Sequence, residues 1–252
     1  MRLTVLGAGT CVPSATRGSA GFWVEAGDAR VRLDCGAGSV HAMARFGISW
    51  ESVSHQFISH FHIDHVGELP ALLFALRWGR TAPRTAPFSL IGPVGLRALV
   101  EQLATIYGEP LLEQQFPLTL SELASGDALP LADGASLRVC KTPHNGESLA
   151  VRIDAGGRAL GYTGDTAPSV ELARFFDGVD LLVAECSFVD DNHGTHHLLA
   201  DETAELARAA NARRLVVTHA YFDPLAADLA ARLSRRYAGP IFIAADGDVF
   251  DV

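Results

Sequence analysis

Ser59-His60-Phe61-His62-Ile63-Asp64-His65-Val66-Gly67 is the stretch on which the reading of this chain turns. Three histidines and an aspartate fall within six residues, directly after the apolar strand Gln56-Phe57-Ile58-Ser59. Side chains alternate along a strand, so His60 and His62 are expected to share one side. If the chain then turns into a helix, Asp64 and His65 project toward a second point nearby. Imidazole is the commonest ligand of zinc-like metals, and a carboxylate completes a harder, water-bearing site. A solvated histidine-rich loop would have the same composition, but here the spacing, the strand and the turn all agree on a metal site.

Four residues rarely complete a two-metal site, so more ligands are expected further along. Three candidates follow apolar strands. His144 comes after Val139-Cys140-Lys141-Thr142-Pro143, Asp165 after Leu160-Gly161-Tyr162-Thr163-Gly164, and His219 after Leu215-Val216-Val217-Thr218. Each lies just past the C-terminal end of a strand, where open sheets place their sites. Taken singly, each would be an ordinary polar loop residue; the repetition is what carries the argument.

Outward from these points, the chain reads as strands and helices in a mixed order. Leu3 to Gly7 is a short strand entering Gly7-Ala8-Gly9-Thr10, and residues 22–26 and 30–34 form a hairpin across Gly27-Asp28. Helices are expected over 39–47, 68–78, 93–107, 201–211 and 225–237. Further strands are expected over 137–141, 150–153, 159–162, 181–184 and 215–218, with 241–244 closing the chain. Early hairpins followed by strands alternating with helices suggest two sheets packed on each other with helices outside. No linker or repeat interrupts the sequence, so residues 1–252 are expected to form one domain.

The 252 residues are 48% hydrophobic and 19% charged, which excludes disorder, collagen-like repeats and a coiled coil. Cys11, Cys35, Cys140 and Cys186 are far apart and form no C-x-x-C pair, so a disulfide framework is not expected. Met1-Arg2-Leu3-Thr4-Val5-Leu6 is not a charged-then-apolar leader, and no apolar run reaches the ~18 residues of a membrane span. A cytoplasmic protein is the expectation. The formal net charge of −9 argues against a sheath of nucleic-acid-binding charge, because polyphosphate binding needs neutralising cations. It leaves room for a local basic patch: Arg77, Arg80, Arg84 and Arg97 fall in a segment, 69–100, that has no acidic residue. The loop-like stretch 80–87 could cover a site for an anionic ester.

The H-x-H-x-D-H run with a later His, Asp and His resembles the metallo-β-lactamase fold superfamily, from the Gly7-Ala8-Gly9-Thr10 opening to Ala245-Asp246-Gly247. That resemblance implies an α/β (α+β) fold, a four-layer αββα sandwich with a dinuclear metal site at the sheet edges. By the same resemblance, His60, His62 and His144 would hold one divalent ion and Asp64, His65 and His219 a second, with Asp165 bridging. Zinc is the usual metal, with manganese or iron in relatives; histidine–carboxylate sites discriminate weakly by ligand type.

The fold does not fix the reaction, since one fold hosts many chemistries. Flavin-linked diiron oxygen reductases carry glutamate where His62 stands, and the best-known β-lactamases carry cysteine near the second metal. Neither pattern matches. His196-His197-Leu198-Leu199-Ala200-Asp201-Glu202-Thr203-Ala204 is similar to the His-Leu-Thr/Ser run of the ribonuclease Z and phosphodiesterase branch, although Leu199 replaces the hydroxyl residue. The resemblance gives His197 a role over the metals in protonating the leaving oxygen, with His193 and His196 close by. Pro13-Ser14-Ala15-Thr16-Arg17 resembles the front loop of ribonuclease Z-like proteins, which would turn Arg17 toward substrate. The tRNA-clamping arm of those enzymes falls between the ligands matching His144 and Asp165, and here residues 145–164 read only as a hairpin. The cysteine-rich structural zinc site of a related phosphodiesterase has no counterpart either.

The expected activity is two-metal hydrolysis of a small or nucleotide-like phosphodiester. Asp64 would bind metal and orient the nucleophile or take its proton, and Glu185 would orient an imidazole. Carboxylic, thio- or sulfate ester hydrolysis, tRNA 3′ processing and a catalytically silent metal-binding regulator are the alternatives. No stable nucleic-acid partner and no membrane contact are expected, and a homodimer is possible.

Overall fold

A computed structural model describes residues 1–79, 82–108, 111–191, 196–225 and 228–252. The N-terminal half supplies β1 (Arg2–Gly7), β2 (Gly21–Ala26), β3 (Ala29–Leu33), α1 (Ser39–Arg45), β4 (His55–Phe57), α2 (Ile63–Val66), α3 (Leu69–Trp78), β5 (Phe88–Pro93), α4 (Leu96–Tyr107) and β6 (Leu118–Leu123). The C-terminal half supplies β7 (Ala128–Pro130), β8 (Ser136–Lys141), β9 (Leu149–Ala155), β10 (Arg158–Tyr162), α5 (Val170–Phe175), β11 (Leu181–Glu185), α6 (Ala200–Ala209), β12 (Leu215–Thr218), α7 (Leu229–Leu233), β13 (Ile241–Ile243) and β14 (Val249–Asp251).

Among the described residues these strands make two seven-stranded sheets, ordered β14-β1-β2-β3-β4-β5-β6 and β13-β12-β11-β10-β9-β8-β7. In each, hairpin-linked antiparallel strands give way to a parallel run: β3 to β6 in the first, β10 to β13 in the second. Parallel neighbours need a crossover, usually a helix, which is why α1 to α4 cover the outside of one sheet and α5 to α7 the other.

Period-two alternation sorts the side chains into three layers. Phe22 and Val24 point inward with Leu160, Tyr162, Leu181, Val183 and Val216. Trp23 points outward to Leu72, Leu73 and Leu76 of α3. Leu182, Ala184, Leu215 and Val217 point outward to Ala204 of α6 and Leu229 of α7. The result is the expected helix–sheet–sheet–helix sandwich.

Several expectations are corrected at the level of elements. Residues 88–93 form β5, and the helix expected from 93 starts only at Leu96, after Gly95 in a left-handed turn with φ 103°. An apolar run as short as Phe88-Ser89-Leu90-Ile91 has no period that separates strand from helix. β6, β7 and β14 were not anticipated; they sit at or next to sheet edges and are largely half-exposed, so they lack an apolar signature. β14, not 241–244, closes the chain by pairing with β1. The last helix is shorter than expected, Leu229–Leu233, and Ala226 and Ala227 lie outside the described residues. No helix among the described residues is long and apolar enough to cross a membrane.

Among the described residues, the candidate site residues gather at one rim of the sandwich. β4, β8, β10, β11 and β12 all end there, and the sheets are tied together at that rim by Leu149 N–H donating to Ser59 O at 2.9 Å.

Candidate metal centre

Strand β4 stops at Phe57, so His60 and His62 sit on the connector past it rather than on pleated strand. They still meet, their ring centroids 4.6 Å apart, because His62 keeps an extended conformation (φ −65°, ψ 147°) as it caps α2. The single turn of α2 then buries Asp64 and His65. It fits closely under Gly36, where an added Cβ would lie 2.0 Å from Asp64 O. His144 follows β8, Asp165 follows β10 and His219 follows β12. His219 and Asp34, the residue just past β3, both take left-handed backbone conformations (φ 60° and 59°), uncommon outside glycine.

All seven expected residues converge. Ligand atoms of His60, His62, His144 and Asp165 lie within 4.8 Å of one another, and so do those of Asp64, His65 and His219. Asp165 faces both groups. Its Oδ2 is 3.7 Å from His60 Nε2 and from His144 Nε2. Its Oδ1 is 3.3 Å from His65 Nε2 and 3.5 Å from His219 Nε2. Across the first group His144 Nε2 approaches His62 Nδ1 to 3.1 Å, and across the second His65 Nε2 approaches His219 Nε2 to 3.3 Å.

The surroundings set which ring nitrogens point inward. His65 Nδ1 donates to Asp34 Oδ2 at 2.7 Å, and that oxygen also accepts from Ser59 Oγ at 2.8 Å and Tyr162 OH at 2.6 Å. Ser59 Oγ, its proton so committed, accepts from His60 Nδ1 at 3.0 Å. His144 Nδ1 donates to His196 O at 2.8 Å. Ser187 Oγ donates to Glu185 Oε2 and accepts from His219 Nδ1 at 3.1 Å. Each arrangement leaves an Nε2 lone pair aimed at the centre, the usual outer support of a metal-ligating histidine.

Those lone pairs need a cation. Among the described residues His60 Nε2 and Asp165 Oδ1 are buried with no hydrogen bond, although His65 and His219 stand near the latter without hydrogen-bonding geometry. Burial pushes the His60 imidazole well below the usual histidine range. Burial would raise Asp165, but His219, His65 and His60 hold its carboxyl well below the usual carboxylate range. Asp64 is likewise held down by its contact with His219 against the effect of burial. Burial opposes charge on His65, yet Asp165 and Asp34 hold that imidazole well above the ordinary range. A proton on His65 is one remedy for the facing lone pairs; a divalent cation is the other, and the donor set of imidazoles and carboxylates suits it.

His197 borders the centre. Its Nδ1 is 3.0 Å from Glu185 Oε1 and 4.0 Å from Asp165 Oδ2, and its ring lies at 24° to that of His219 with centroids 5.6 Å apart. Glu185 is buried and also accepts from Thr166 N–H at 2.6 Å, so it is the fixed point that orients His197. Burial lowers the His197 pKa, and the hydrogen bond and charge of Glu185 more than restore it, for a net rise.

Other expectations land elsewhere. Arg17 is half-buried, and its guanidinium donates to the carbonyls of Ala220 (3.4 Å) and Phe222 (3.3 Å). Arg84 does not belong to a basic lid: it is buried, donates to the carbonyls of Glu51, Val53, Ala86 and Pro87, and lies against Phe116. Arg77 donates to Glu113 O, and Arg97 is exposed on the first turn of α4. Arg80 and His193 lie outside the described residues. His196 contributes its carbonyl to His144, and its own Nδ1 donates to His144 O at 2.8 Å. Asp34 is the residue that sequence reasoning missed. It follows an apolar strand as the other candidates do, so the same rule would have found it. All four cysteines are free.

Residues 29–220 match the family described as Beta-lactamase superfamily domain. A ribonuclease Z of Myxococcus xanthus is 30% identical over 302 aligned positions, covering 98% of this chain and 96% of the relative. The metallo-beta-lactamase fold protein YhfI from Bacillus subtilis has a TM-score of 0.83 at 25% identity, covering 99% of this chain and 98% of that one. Human tRNase Z, short form, has a TM-score of 0.82 at 22% identity, covering 100% and 99%. The chain belongs to the metallo-β-lactamase superfamily and, within it, to the ribonuclease Z-like branch of metal-dependent hydrolases.

Proposed function

We propose that this protein hydrolyses phosphodiesters with two divalent ions, and that its substrate is a small or nucleotide-like diester. The observation that carries the reading is Asp165, whose two oxygens face two separate sets of imidazoles. In this proposal His60, His62 and His144 hold one ion, Asp64, His65 and His219 hold the other, and Asp165 is shared. Zinc, the usual metal of the superfamily, suits these donors, and so do manganese and iron, because imidazole–carboxylate sets discriminate weakly. Bound there, such ions supply Lewis acidity at the phosphoryl oxygens and water of lowered pKa.

The chain's own groups do the rest. Asp64 Oδ2 stands 3.3 Å from His219 Nε2, which places its carboxylate at the edge of the second group of ligands, where it would orient the attacking water and take its proton. Glu185 engages His197 Nδ1, leaving Nε2 to give a proton to the departing alkoxide.

Two features favour a small substrate. Residues 145–164 are consumed by the end of the connector and the tight β9–β10 hairpin. The alignment with the Myxococcus ribonuclease Z needs 302 positions against the 252 residues here, so that relative has segments this chain lacks. The name of that relative favours tRNA 3′ processing as the second reading. The test is turnover of bis(p-nitrophenyl) phosphate by protein reconstituted separately with zinc, manganese and iron, beside precursor tRNA at physiological salt. Diester turnover with little tRNA cleavage is expected. Efficient 3′ cleavage of the tRNA would replace the proposal with the second reading, and inertness toward both would end it.

A further inference from the structure

Tyr221 lies two residues past His219, and the structure invests heavily in its position. Its N–H donates to Ser187 O at 3.1 Å. The carbonyls on either side of it, Ala220 and Phe222, accept from the Arg17 guanidinium. Arg17 is itself anchored, because Asp246 accepts from the N–H groups of Gly18 (2.7 Å) and Ala8 (3.0 Å). The ring stacks on Phe188 at 5.4 Å between centroids and 6° between planes. Its edge approaches the rings of His219 (5.6 Å) and His197 (6.1 Å). Yet Tyr221 remains 36% exposed, so a well-fixed aromatic ring faces solvent one ring away from the metal centre.

Such a ring is suited to a flat, π-bearing partner. A phosphodiester seated at Asp165 would carry one ester arm past His219 and His197, which is the direction in which Tyr221 stands. We infer that Tyr221, backed by Phe188 and positioned by Arg17, is the stacking platform for a nucleobase on that arm, so that the substrate is a nucleotide diester. The inference rests on the phosphodiesterase reading and narrows it. Stacking tolerates any base, since every base has a π face, and it is worth roughly 5- to 150-fold in binding by alanine substitution.

The test uses the metal-reconstituted protein and two probes that share phosphate and ribose, adenosine 5′-monophosphate and ribose 5-phosphate, with dissociation constants from calorimetry. The parent protein should prefer the nucleotide by at least about 5-fold. Tyr221→Phe should keep that preference. Tyr221→Ala should bring it near unity, and so should Tyr221→Leu, which keeps apolar bulk and guards against a folding artefact in the alanine variant. An absent preference in the parent, or one that survives both Tyr221→Ala and Tyr221→Leu, overturns the platform. Bis(p-nitrophenyl) phosphate turnover by the parent separates the two ideas. Turnover without base preference refutes the platform alone, whereas base preference without turnover refutes the diesterase reading and leaves the platform standing.

Discussion

The parallel strands β10, β11 and β12 carry charged residues at both of their ends, and the two ends behave oppositely. At the starting ends, Arg158 Nη1 pairs with Asp180 Oδ1 at 2.9 Å and Arg213 Nη1 reaches the same oxygen at 3.3 Å, with arginine side chains 52% and 69% exposed. At the finishing ends, Asp165, Glu185 and His219 are buried and meet other ionisable groups. Asp180 is itself buried, but its arginine partners are exposed, and pairs that water reaches in this way contribute little, because the charges are screened and side-chain entropy opposes the contact. Buried groups of the second kind are costly unless every lone pair and proton is matched. The same three strands thus hold one rim that tolerates change and one that does not. What separates them is access to water rather than the number of charges.

Four substitutions test that contrast, and the largest effect is expected at Asp165. Asp165→Ala should reduce activity to assay background and lower metal content from about two ions per chain to one or fewer, since a shared carboxylate serves both. Elemental analysis with rate measurement decides; full activity with both ions retained would break the assignment. His197→Ala should come next, leaving metal content intact. A loss of about 10²–10⁴-fold is expected for a diester with an alkyl or ribose leaving group, and little for a nitrophenolate that departs unaided. Equal losses on both would make His197 a stabiliser of transition-state charge, and no loss would return it to the loop.

Asp34→Asn should be milder, because asparagine accepts the left-handed backbone that Asp34 adopts while removing the charge under His65. Loss of such an outer carboxylate typically costs about 10–100-fold in metal affinity or activity. Titration against a competing chelator should show that drop, and an unchanged affinity would mean that Ser59 and Tyr162 hold the site without it. Arg213→Ala, on the tolerant rim, should cost only about 0.2–1 kcal/mol of stability and leave turnover unchanged. A larger loss in denaturant unfolding would show that the two rims are less different than their exposure implies.

The residues of the candidate metal centre were legible in sequence because the signal is local. A strand ends, a histidine or aspartate follows, and the pattern recurs at His60, His144, Asp165 and His219. Two packed sheets with helices outside were legible for a similar reason, since hairpins come early and alternation late, and the resemblance to the superfamily supplied the four-layer αββα order. Edge strands such as β6 and β14 were not, because half-exposed edges lose the apolar alternation that marks a strand.

What the tertiary structure alone decided is who stands behind each group. Asp34 serves His65 only because Tyr162, 128 residues away, closes over the same oxygen. Arg84 looked available for an anion, and folding buries it on the main-chain carbonyls of Glu51 and Val53 among others, while the half-buried Arg17 holds the carbonyls of Ala220 and Phe222. Asp64 and His219, 155 positions apart, meet because the two sheets are stacked with their strand ends aligned. By itself the sequence determines which residues can bind, since side-chain chemistry and strand period are local properties. Which nitrogen points inward, which charge is buried and which arginine is already committed depend on contacts between distant segments, and those exist only once the two sheets have packed.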